Sequence, residues 1–119
     1  MFMNPVFITL GLTGLSFVII GWITLRFPPK GINTLYGYRT KASMKNQERW
    51  DLAQKHSSRL IAMHGAIQML MAILSVGLWM FVDISEEIGA TAALLVILAS
   101  VLHLFQSTER AIKRNFGDE

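Results

Sequence analysis

Three observations predict an all-α fold, an integral membrane three-helix bundle with a cytoplasmic interfacial loop and helix between its first two spans. Three long runs of the chain carry no Asp, Glu, Lys or Arg. The basic residues gather between and after those runs instead of within them. Between the first and second runs lies a polar segment rich in turn residues and aromatics, whose composition is that of a folded element.

The first span is placed at about residues 5–27. No charged residue precedes Arg26, and a helix rising about 1.5 Å per residue crosses about 30 Å of hydrocarbon in about 20 residues. A secretory signal is the competing reading, but the run lacks a basic start and leaves through Arg26-Phe27-Pro28-Pro29-Lys30, not through small residues. Neither proline donates a backbone hydrogen bond, and Phe27 is pushed toward extended geometry, so the helix stops there.

Residues 28–59 form the loop and its interfacial helix. Gly31 and the Asn33-Thr34 pair favour turns, and Gly37 permits a positive φ or a close backbone approach. Tyr36 and Tyr38 suit headgroup depth, as does Trp22 at the end of the first span. Ser43 is the expected N-cap, because Met44 to Lys55 contains no Gly or Pro. In the helix that follows, Met44, Trp50, Ala53 and Ser57 share one face, with Trp50 toward lipid or the bundle, while Lys45, Glu48, Arg49 and Lys55 reach water. This helix can run into the second span near Ser57-Ser58.

The second and third spans are placed at about residues 60–82 and 88–107 by the same hydropathy test. The short acidic turn Asp83-Ile84-Ser85-Glu86-Glu87 makes them antiparallel neighbours, with Ser85 as N-cap of the third. Ala62 and Ala66, and Gly89 and Ala93, have small-xxx-small spacing, and Gly11, Gly14 and Gly21 lie in the first span. Such residues are also common in any membrane helix. Eight of the 11 Lys and Arg residues lie in 26–59, and Arg110, Lys113 and Arg114 lie in the tail 108–119. The loop and C-terminus are therefore expected in the cytoplasm, the N-terminus and acidic turn outside, in a multi-pass protein of the cell membrane.

Within the spans, His64, Gln68 and Ser75 lie on one face of the second helix, and Ser100, His103, Ser107 and Arg110 on one face of the third, with Gln106 adjacent. His64, Gln68, His103 and Gln106 are thus a candidate intramembrane polar cluster. Such histidines either titrate in an ion path or bond to backbone and loop groups near the interface, and with no charged residue in any span the second reading is favoured. Two histidines make a weak metal signal with no third ligand, and the methionines read as packing residues, so neither metal nor cofactor is expected. The absence of cysteine removes thiol chemistry. With no nucleophile beside a base, no carboxylate pair in the membrane and no phosphate-binding glycine loop, no enzyme is expected. The net charge of +3 is explained by retention of Lys and Arg beside the spans, and nucleic acid is not expected as a partner.

Asn33, Tyr36-Gly37-Tyr38-Arg39-Thr40, Ser43-Met44-Lys45-Asn46 and Trp50, lying between a first and a second membrane helix, resemble the signature of the SdpI family of small bacterial membrane proteins. The match departs from the family pattern in the extra stretch between Pro28-Pro29 and Asn33. The resemblance covers nearly the whole chain, as the C-terminal three-helix unit of the longer founding member. It implies immunity or signalling against membrane-active peptide toxins, with a toxin peptide or a cytoplasmic regulator as partner beside the lipid bilayer. Under it, Arg39 and Asn46 fasten the loop while Tyr36, Tyr38 and Trp50 anchor it at the headgroups, and Arg39 lies within reach of His64 and His103. The alternative is a small homo-oligomeric ion or proton-coupled transporter using His64 and His103.

Overall fold

The structure, a computed structural model, describes residues 3–117. Three helices run through them: α1 (Pro5–Arg26), α2 (Gln47–Phe81) and α3 (Glu86–Phe116). All three are long and apolar enough to cross a membrane. Side chains such as Leu12, Ile73, Leu94 and Leu102 stand more than half exposed around the bundle, as the hydrocarbon of a bilayer requires.

Asn4 starts α1 by accepting from Phe7 N at 2.8 Å, with Pro5 at the first helical position. The helix ends at the cap residue Phe27, immediately before the two prolines.

The second helix departs from expectation at its start. Asn46, not Ser43, is the N-cap, its Oδ1 accepting from Arg49 N at 2.9 Å. Ser43 is unavailable because its hydroxyl already accepts from Thr40 N at 2.8 Å inside a tight turn that Met44 N closes onto Thr40 O. From Asn46 the helix continues unbroken for 35 residues, about 52 Å at 1.5 Å per residue. The expected interfacial helix is therefore not a separate element but the first third of α2.

Ser85 caps α3 through Ile88 N at 3.2 Å. The helix runs past the expected span into the tail and ends at Gly117, whose φ is +83°. Thr108, Ala111 and Ile112 are buried along this extension, so packing, not hydropathy, carries it beyond Ser107; positions 118 and 119 of the tail lie outside the described residues.

Close contact between α1 and α2 is set by small residues. A Cβ added to Gly14 would stand 2.8 Å from Gly65 O, and one added to Gly21 would stand 2.7 Å from the Ala62 Cβ. Backbones this near gain dispersion contacts, the main attraction available between helices in lipid. Polar links cross the same interior. Gln68, fully buried, accepts from the Thr13 hydroxyl at 2.8 Å and donates to Ser100 Oγ at 3.1 Å, tying α2 to both neighbours.

Candidate functional site

The segment from Pro28 to Asn46 has no regular secondary structure, yet it is fixed at nearly every turn. Asn33 Oδ1 accepts from Leu35 N and Tyr36 N at 2.9 and 2.7 Å, and its Nδ2 donates to Gly31 O. This Asx turn reverses the chain. Arg39 Nη1 donates to Thr34 O at 2.6 Å and holds the two limbs together.

The loop then touches each helix in turn. Tyr36 Oη donates to Phe27 O at 2.7 Å, capping the end of α1. The indole of Trp50 is wholly buried and donates to Pro29 O at 2.6 Å, pinning the prolines to α2. Gln54 reads Tyr38 from both sides: Oε1 accepts from Tyr38 N and Nε2 donates to Tyr38 O, each at 2.7 Å. Glu109 of α3 receives the Tyr38 phenol at 2.6 Å and the Thr40 hydroxyl at 2.8 Å on one oxygen. Burial, with the bond to Glu109 and its charge, pushes the Tyr38 phenol far above its ordinary value, so it keeps its proton and keeps donating.

Gly37 is required twice over. Its φ is +107°, and an added Cβ would meet Gln54 Oε1 at 2.5 Å and Pro29 Cγ at 2.7 Å. Only glycine takes that conformation without strain and leaves room for the glutamine.

A guanidinium closes the cap from the other side. Arg49 is buried, not solvated as its place in the helix suggested, and lies over the Phe116 ring at 5.7 Å. It donates to the carbonyls of Phe116 and Gly117 at 3.3 Å, satisfying the C-terminal end of α3 where the helix dipole is negative.

One helical stretch inside the cap, two imidazoles meet. His64 Nε2 and His103 Nδ1 are 2.9 Å apart, one ring edge-on to the other. Nearer the cap, His56 Nε2 lies 2.9 Å from Ser107 Oγ. Burial, with the charges of Arg114 and Arg59, lowers His56 below the ordinary imidazole value. Among the described residues no group of three metal-ligating side chains converges.

The SdpI/YfhL protein family profile matches residues 30–106, which takes in nearly all of the loop, the whole of α2 and the larger part of α3. The chain belongs to this family. The SdpI/YfhL assignment agrees with a relative from Bacillus subtilis (strain 168), the uncharacterized protein YfhL, 34% identical over 104 residues and spanning 87% of this chain and 86% of that protein. No solved structure matches the chain.

Within this SdpI/YfhL chain the signature residues fall into distinct places. Asn33, Tyr36, Gly37, Arg39, Thr40 and Ser43 build the loop, Asn46 caps α2, and Trp50 clamps the prolines. Tyr38 and Trp50 are buried inside the cap and so cannot anchor it at headgroups as expected, while Tyr36 is exposed and bonds through its hydroxyl to Phe27 O. Arg39 bonds within the loop and to neither histidine. The candidate polar cluster divides, since His64 and His103 pair with each other, Gln68 bonds to Thr13 and Ser100, and Gln106 is exposed. Sequence reasoning passed over Gln54, Glu109 and His56. A lone acid just past an apolar span, and a glutamine on the Trp50 face of its helix, were the available signals.

Proposed function

We propose that this protein confers immunity or relays a signal against membrane-active peptides, with its loop cap as the platform for a cytoplasmic regulator. The observation that carries this reading is the docking of the loop on all three helices, through Tyr36 to Phe27, Tyr38 to Gln54, and Tyr38 and Thr40 to Glu109. A connection between two spans needs no such anchorage. Family membership supports the reading, and the gathering of Lys and Arg at the loop end supports a cytoplasmic cap with the acidic turn outside. A toxin peptide meets the bundle or that outer turn, and its effect reaches the cap through the helices.

The test is survival of cells with and without the protein under challenge by membrane-active peptides. The expected result is protection that Arg39→Ala abolishes at normal expression. Equal survival with and without the protein refutes immunity, and full activity of Arg39→Ala removes the loop from the mechanism.

A second reading, a proton-coupled transporter, is favoured by the 2.9 Å contact between His64 and His103. It requires a homo-oligomer, because three helices alone enclose little aqueous space. Flux in proteoliposomes that survives replacement of both histidines removes their proposed role.

A further inference from the structure

Beneath the cap, a cavity of about 390 Å³ opens between the three helices at the loop end of the bundle. Its roof and its floor differ in chemistry. Arg39 stands at the loop side, while Ile20 of α1, Ile61 of α2, and Leu104 and Phe105 of α3 line the side nearer the membrane. Ile20 lies six residues before the end of α1 at Arg26, about 9 Å deeper at 1.5 Å per residue. From roof to floor the wall thus passes from charged to hydrocarbon over the depth at which a lipid passes from headgroup to acyl chain.

Two polar groups in this wall bear on what can enter. Ser58 is only 4% exposed and lines the cavity, so its hydroxyl is placed to meet a group that enters there. Arg39 gives one hydrogen bond, to Thr34 O, from a guanidinium with five donors. No carboxylate lines the cavity, and the nearby Glu109 is occupied by Tyr38 and Thr40.

We propose that this cavity is a binding site for an anionic phospholipid, its phosphate on Arg39, its ester region at Ser58, and one acyl chain against Ile20, Ile61, Leu104 and Phe105. The volume lies in the range of small-ligand sites. A bound lipid would bridge the loop to α1 and α3 from below. The site holds for either direction of insertion, since each leaflet presents headgroups at this depth.

The full-length protein, purified in mild detergent, tests this by native mass spectrometry with phosphatidylglycerol, with phosphatidylcholine of the same chains, and with inorganic phosphate. The expected result is retention of phosphatidylglycerol about fivefold or more above phosphatidylcholine, the discrimination of one desolvated cation. Arg39→Gln should erase that preference and Arg39→Lys should keep most of it. Leu104→Trp, which fills the floor from a lipid-facing helix, should lower retention of both lipids with helical content unchanged. Equal retention of the two lipids by the unsubstituted protein overturns the proposal, as does full retention by Leu104→Trp. Displacement of the lipid by inorganic phosphate would show a free-anion site and overturn it too. If Arg39→Gln loosens the loop and loses helical content, the comparison of Arg39→Lys with Leu104→Trp still decides.

Discussion

Gln54 grips Tyr38 by both of its backbone polar groups, accepting from the N–H and donating to the carbonyl at 2.7 Å each. A side-chain amide here does what a neighbouring strand would do, satisfying a buried length of irregular chain from a helix 16 residues away in sequence. Replacing Gln54 by Ala leaves the buried Tyr38 N–H without a partner and its carbonyl with only the Ser43 hydroxyl at 3.2 Å. The expected loss is about 1–3 kcal/mol, read as a lower thermal unfolding midpoint in detergent; an unchanged midpoint would show that the clamp contributes nothing.

Gly37→Ala tests the same clamp from the loop side. The added methyl falls 2.5 Å from Gln54 Oε1 at a φ of +107°, so the variant meets both backbone strain and a steric clash. The expected cost is about 1–3 kcal/mol, with protease cleavage between Pro28 and Asn46 appearing before the helices unfold. Resistance equal to that of the unsubstituted protein would contradict the geometry.

Glu109 joins the cap to α3 through two hydroxyl donors on one oxygen. Glu109→Gln keeps an acceptor without the charge and should cost about 1 kcal/mol, whereas Glu109→Ala, which strands the buried Tyr38 phenol, should cost about 2–3 kcal/mol. Equal effects of the two variants would mean that the charge alone matters and that the acceptor kept by glutamine contributes nothing.

The spans were readable because hydropathy acts over about 20 residues, enough to average out local ambiguity. Ser85 was readable as a cap because nothing else competes for its hydroxyl. Ser43 misled because the signature of a helix start and that of a Thr-x-x-Ser turn are locally the same, and only the bond from Thr40 N separates them. Glu109 and Arg49 escaped notice for a different reason. Their partners, Tyr38 and Phe116, lie 71 and 67 residues away, and no local pattern announces a bond that only the assembled bundle creates.

His56 sets a pH dependence with a definite sign. Its folded value is lowered, chiefly by burial, so the neutral ring is favoured in the folded state. Its contribution to stability is complete above the unfolded value of about 6.5 and is lost as pH falls through that value toward the lower folded one. The unfolding midpoint should therefore drop as pH falls below about 6.5, and by less in His56→Gln. Identical slopes for the two proteins would exclude His56 as the source.

The unbroken length of α2 has a mechanical consequence. One hydrogen-bonded rod bears Ser75 and Trp79, which meet Asn4 and Gly89 at the turn end, and Trp50 and Gln54, which hold the loop. A helix without a hinge tilts or rotates as a whole, so a push of an ångström at one membrane face arrives at the other as a displacement of similar size. The contacts at the turn end and the contacts that hold the loop thus sit on one continuous strut.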